Sequence, residues 1–237
     1  MAKGFKFEII EKIEDLTNQL NMTFKLSSFA ILSSIVVFAA GDDDFAVNCG
    51  SAIKLKHVQN PNYYLDSAGF NWSTGSGQQV VTLKKSKGES SSMWQVQEAY
   101  NQTCETGKPI KCGDRIRLMH LDTKKRLHTH PLKSVLSGGA SQEVSGFGDT
   151  GEYGVEGGDA SDDWDVICSD HYWMQGQNVR LCHVGTGAYL RSSTDYKFTN
   201  ANCPRCPIVG DLEVAASQRA NHLTLFQADK SGVHVSK

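Results

Sequence analysis

Three segments of the chain repeat one another at a fixed spacing, and a repeat of that length decides the architecture before any single residue does. The run "IKLKHVQNPNYYLDS" begins at Ile53, "IRLMHLDTKKRLHTH" at Ile116 and "VRLCHVGTGAYLRSS" at Val179, so His57, His120 and His183 stand 63 residues apart. Each opening run leads to a second apolar and polar run carrying Leu65, Leu127 or Leu190. A Gly/Ser-rich turn follows, then Gln79-Val80, Glu143-Val144 or Glu213-Val214. Units one and two close on Trp94 and Trp164, and unit three offers Phe226 at that place. Within the first run Ile53, Leu55 and His57 share one face and Lys54 and Lys56 the other, as a strand with one buried face requires. No stretch beyond residue 41 holds a helical period for three turns. Three units of about 60 residues, each with four short strands split by turns, predict a closed all-β domain. The β-trefoil, with about twelve short strands and pseudo-threefold symmetry, meets that count and hides its strand edges.

The run from Leu26 to Gly41 has no charge, follows Lys25 and ends in small residues before Asp42, Asp43 and Asp44. It is shorter than the roughly 20 apolar residues of a membrane helix, and its flanks are those of a cleavable signal. We therefore expect residues 1–41 to be an N-terminal extension and signal peptide, with Met22 an alternative start. Residues 42–237 are expected to form the trefoil, in repeats of about 49–111, 112–174 and 175–235. Without the leader, 20 basic and 22 acidic residues remain. That balance offers no field for nucleic acid or an anionic membrane. Seven cysteines behind a secretory leader point to an oxidising compartment. Asn71 and Asn101 open glycosylation sequons that have meaning in that same compartment.

The "LxH…T…L" openings, the turns "SGQQ" and "SQEV" and the closing tryptophans resemble the MIR motif. That motif is shared by protein O-mannosyltransferases, inositol trisphosphate receptors and ryanodine receptors. More specifically, "CGSAIKL", "NWSTGSGQQVV", "GKPIKCGDRIRLMH", "RLHTH", "SQEVSGFG" and "DDWDVIC" are similar to the stromal cell-derived factor 2 family, from about Cys49 to Val214. The resemblance implies a β-trefoil of three MIR motifs in the secretory pathway, without catalytic activity or cofactor. It also implies work beside a DnaJ-type co-chaperone and the lumenal Hsp70 on unfolded client proteins. Family members often end in a Lys/His-Asp-Glu-Leu tetrapeptide. This chain reads "HVSK", so the expected location is the endoplasmic reticulum lumen or the exterior, without receptor-read retention. A lectin-like module reading O-mannose or another glycan is the alternative function.

His57, His120 and His183 come round with the repeat on the strand face of Ile and Leu. We read them, with Trp94 and Trp164, as structural, each ring nitrogen satisfied in the core. His128 and His130 vary between units, share a strand face and form a candidate partner or ligand surface. A Zn2+ reading of the pair lacks further ligands, so no metal is expected. The Gly-rich acidic stretch carrying Asp149, Glu152, Glu156, Asp159, Asp162 and Asp163 reads as a solvated insertion able to meet a basic partner. Its G-x-G-x-x-G match lacks the strand-to-helix setting a dinucleotide site needs. Cys49 and Cys112 each precede their isoleucine by four residues, and Cys104 and Cys168 each follow a closing tryptophan, so Cys49–Cys104 and Cys112–Cys168 are the expected disulfides. The "CPRC" of unit three invites a redox reading but lacks the thioredoxin setting, and a local disulfide is expected there.

Overall fold

The structure, a computed structural model, describes residues 45–85, 90–148 and 158–236. The expected leader falls outside these residues, as do Asp149, Glu152 and Glu156. Unit one supplies β1 (Ala52–Ile53), β2 (Leu55–His57), β3 (Tyr63–Asn71), β4 (Gln79–Lys85) and β5 (Trp94–Glu98). Unit two supplies β6 (Arg115–His120), β7 (Arg126–Ser134), β8 (Gly138–Phe147) and β9 (Trp164–Ile167). Unit three supplies β10 (Arg180–His183), β11 (Tyr189–Lys197), β12 (Leu212–Ser217) and β13 (Phe226–Ala228). The count is thirteen because the first strand breaks at Lys54, where β1 leaves its pairing with β5 and β2 takes up pairing with β13.

Ring closure follows from those pairings. The closing strand of each unit pairs with the opening strand of the next, β5 with β6, β9 with β10, and β13 back with β2. The hairpins β3–β4, β7–β8 and β11–β12 meet through their inner strands in a second cycle, β4 with β8, β8 with β12 and β12 with β4. This is a β-trefoil. Its axis is drawn by three backbone hydrogen bonds: Val47 N–H to Trp173 O (2.8 Å), Trp173 N–H to Ile110 O (2.8 Å) and Ile110 N–H to Val47 O (2.9 Å). Those residues are buried and again 63 apart, a continuation of the repeat that units drawn from residue 49 cut through.

The core is the repeated apolar set: Ile53, Ile116 and Val179, then Leu55, Leu118 and Leu181, then Leu65, Leu127 and Leu190, each at most 1% exposed. Full burial of such a side chain is worth about 1.5–3 kcal/mol. One landmark moves. Val81, Val144 and Val214 stand opposite Ser67, Thr129 and Ser192 in their hairpins. Those hydroxyls donate to Val80 O (3.1 Å), Glu143 O (2.7 Å) and Glu213 O (2.7 Å). Val80, rather than Gln79, is therefore the counterpart of Glu143 and Glu213. A one-residue slip would turn the core valine outward, so the apolar side chain sets the register and the polar pattern does not.

Disulfides join Cys49 to Cys104 and Cys112 to Cys168, with Cα atoms 6.1 and 5.2 Å apart. A third joins Cys203 to Cys206, and Cys182 is a half-buried thiol. No helix of the described residues is long and apolar enough to cross a membrane.

Candidate functional site

Each repeated histidine stitches one unit to the 3-10 turn that closes the unit before it. Nε2 of His57 lies 2.9 Å from Leu223 O, that of His120 2.6 Å from Ser91 O and that of His183 2.9 Å from Ser161 O. A carbonyl only accepts, which puts the proton on Nε2 and leaves Nδ1 to accept from Asn60, Thr123 and Thr186 respectively. Each ring also rests on the closing aromatic of the preceding unit, at 5.2 Å for His57 and Phe226, 5.0 Å for His120 and Trp94, and 5.2 Å for His183 and Trp164. The indole N–H groups of Trp94 and Trp164 donate to Leu65 O and Leu127 O, both at 2.9 Å. Phe226 keeps the packing without the donor. Burial pushes the His57 and His183 imidazoles below their ordinary value of 6.5.

His128 is not the exposed residue that its variation between units implies. It is 4% exposed, and its Nδ1 donates to Asp162 Oδ1 at 2.9 Å. In unit one the same position is Asp66, whose Oδ2 accepts from Ser92 Oγ at 2.7 Å. Both pairs pin the first hairpin strand, β3 or β7, to the closing turn, with acid and partner exchanged. His130 shares the face of His128, as alternation requires, and lies 3.1 Å from His128 Nε2 through its Nδ1. Its Nε2 lies 3.8 Å from Glu143 Oε1. Burial and the neighbouring His128 lower the His130 imidazole, and Glu143 opposes them.

The acidic stretch is likewise divided. Asp162 is fully buried: its Oδ2 accepts from Asp159 N at 2.8 Å, closing a capping box in which Asp159 Oδ1 accepts from Ser161 N. Asp163 is buried and accepts from Tyr100 N at 2.8 Å. Both carboxylates are bonded inside the fold, and of the three described site acids Asp159 alone is exposed. His128, Asp159 and Asp162 bring one ligand atom each within 4.8 Å of one another, the spacing of a cation site. Unit three builds the same box from Asn221 and Thr224, with no carboxylate, so the arrangement is first a helix cap.

The hairpin tips carry a second cyclic device. Glu143 of unit two accepts from Ser76 N (3.3 Å) and Ser76 Oγ at the tip of unit one. Glu213 of unit three accepts from Leu136 N (2.5 Å) and Ser137 N (3.0 Å) at the tip of unit two. Val80 stands where a third carboxylate would grip unit three, and there the tip packs through Phe198 and Ile208 instead. Beside that junction opens a cleft of about 440 Å3, lined by Asp66, Phe70, Lys84, Asp122, Ile208 and Asp211 among others. Burial, with Asp66 nearby, pushes the Asp211 carboxyl up to about 6, against the hydrogen bond from Thr82 Oγ1 (2.9 Å). All three units line this cleft, so no linear motif announces it.

These groups set opposing responses to pH. The folded state resists protonating His57 and His183, so stability declines as pH falls below 6.5, where the unfolded chain takes up protons. The folded state binds a proton at Asp211 more tightly than the unfolded chain, so that contribution rises as pH falls through about 6 and is complete below 3.8. Asp211→Asn removes the offset. Thermal melts across this range are expected to show a steeper loss on acidification in the variant than in the parent chain, and parallel profiles would contradict the assignment. Asn71 and Asn101 are both exposed.

The site and fold define the class. The MIR domain model matches residues 46–170, the first two units. The chain is 42% identical over 153 residues to mouse stromal cell-derived factor 2, covering 64% of this chain and 69% of that protein. The crystal structure of the SDF2-like protein from Arabidopsis thaliana superposes with a TM-score of 0.71 at 34% identity, covering 81% of this chain and 98% of that one. A chain of the S. cerevisiae protein O-mannosyltransferase Pmt1-Pmt2 complex, bound to the sugar donor, gives 0.65 at 30% identity, over 78% of this chain and 26% of that one. The chain is a MIR-domain protein and belongs to the stromal cell-derived factor 2 family.

Proposed function

We propose that the chain is a non-enzymatic adaptor of the secretory pathway that works with a DnaJ-type co-chaperone and the lumenal Hsp70 on unfolded client proteins. The observation that carries this reading is where unit two departs from its siblings. All three hairpins shift register after Ser67, Thr129 or Ser192, but that of unit two shifts a second time at Ser134, and it presents Leu132 and Val135 to solvent at 43% and 39% exposure. The repeated histidines and tryptophans are spent on packing, whereas an apolar tip on a rigid disulfide-tied core is suited to partner contact. The working surface stays on unit two but moves from His128 and His130 to this tip. Its test is an aggregation assay with a reduced, unfolded protein: the chain together with a lumenal DnaJ-type partner should keep the client soluble longer than the partner alone. No gain would contradict the reading.

The lectin-like reading rests on the cleft of Asp66, Asp211, Lys84 and Phe70, which sets carboxylates beside an aromatic ring, a pairing able to hold sugar hydroxyls. The likeness to a mannosyltransferase chain supports it. Titration with mannosides should perturb this cleft, and Asp211→Asn should abolish the response.

A further inference from the structure

The tip of unit three is fastened differently from the other two. Glu143 and Glu213 grip the first two tips, but at the third junction Val80, Phe198 and Ile208 form a small apolar cluster. Cys203 and Cys206 pack against that cluster together with Trp72. Their disulfide spans 3 residues, whereas the other two span 55 and 56 and tie separated parts of a unit together. A cross-link over so short a loop removes little freedom from the unfolded chain, so its stabilisation is the smallest of the three in the chain-entropy account. It is also open to attack, because Pro204 and Arg205 between the cysteines are exposed and both cysteines are half-exposed. Arg205 is held in left-handed backbone at φ 57, which a non-glycine residue adopts at a cost that opening the ring would release. Its guanidinium is next in sequence to Cys206, where a cation favours a departing thiolate. Directly after Cys206, Pro207 and Ile208 form part of the wall of the cleft that holds Asp66 and Asp211.

We infer that Cys203–Cys206 is a thiol–disulfide exchange site whose co-substrate is a dithiol, and that its reduction loosens the adjoining wall of the cleft. A thiolate of the dithiol attacks one of the two sulfurs, forms a mixed disulfide and expels the other cysteine as thiolate. The second thiol of the reagent then displaces the remaining cysteine. The dithiol leaves oxidised to a disulfide, and its two electrons and two protons end on Cys203 and Cys206 as thiols. The exchange is independent of what the cleft binds. Trp72 makes it visible: its ring lies 5.9 Å from Phe198 and is half-buried, while Trp94, Trp164 and Trp173 are 0% exposed in the main core.

The test incubates the folded, fully oxidised chain with graded ratios of reduced to oxidised dithiothreitol, alkylates the thiols formed and maps them by peptide, with tryptophan emission read in the same samples. Cys203 and Cys206 should be alkylated at a ratio at least about tenfold lower than either other pair, and emission should shift over the same range. The Cys203→Ser, Cys206→Ser variant should start at the shifted emission and stay there. Reduction of all three disulfides together, or of Cys203–Cys206 last, would overturn the exchange site. Reduction of the pair with unchanged emission would overturn the loosened wall.

Discussion

Trp164→Ala is expected to lower unfolding stability by about 3–5 kcal/mol, the range for removing a large buried aromatic. The indole is 0% exposed, donates to Leu127 O at 2.9 Å and supports His183 at 5.2 Å, so its loss opens a cavity, strands a carbonyl and unseats a stitch between units. Trp164→Phe should cost far less, about 1–3 kcal/mol for the unsatisfied carbonyl. Unit three carries Phe226 at this place and keeps its histidine contact at 5.2 Å. Urea denaturation of both variants measures the difference. Equal losses would show that the phenylalanine of unit three is not an equivalent packing solution.

Replacing Cys112 and Cys168 together by serine should cost about 4 kcal/mol, the chain-entropy figure for a loop of that size. That is a large share of the roughly 5–15 kcal/mol by which a domain is stable. The pair, with Cα atoms 5.2 Å apart, ties the segment before β6 to the segment after β9. Non-reducing denaturant titrations of the double variant, with the Cys203 and Cys206 double variant beside it, should rank the first far below the second. The reverse ranking would place the structural staple in the wrong unit.

Most of this scaffold was legible because symmetry repeats its signals. The 63-residue spacing of His57, His120 and His183 marks residues that must solve one packing problem in three places, and the structure gives each ring the same carbonyl and aromatic partners. The cysteine pairs follow from the same equivalence. Reading failed where one place in the repeat is filled by different chemistry. His128 varies against Asp66, and variation reads as exposure. Both are buried, and each bonds the closing turn, to Asp162 in one unit and to Ser92 in the other. Gln79 aligned with Glu143 by polarity, yet the register obeys Val81. Asp162 and Asp163 read as loop charges, although capping and a backbone bond hold them in the interior. The cleft of Asp66 and Asp211 gathers residues from three units, and only the closed ring brings them together.

In the proposed division of labour, symmetric positions build the scaffold and the tip of unit two, with its second register shift, meets the partner. Isothermal titration of a purified lumenal DnaJ-type co-chaperone with the chain and with its Leu132→Ser, Val135→Ser variant tests that division directly. Both side chains lie outside the core on the exposed tip, so the variant should fold with stability within about 0.5 kcal/mol of the parent. The account predicts at least about tenfold weaker binding by the variant, a loss of about 1.4 kcal/mol. Unchanged affinity, with the Asp211→Asn variant weakened instead, would move the working surface to the cleft lined by all three units and contradict the account.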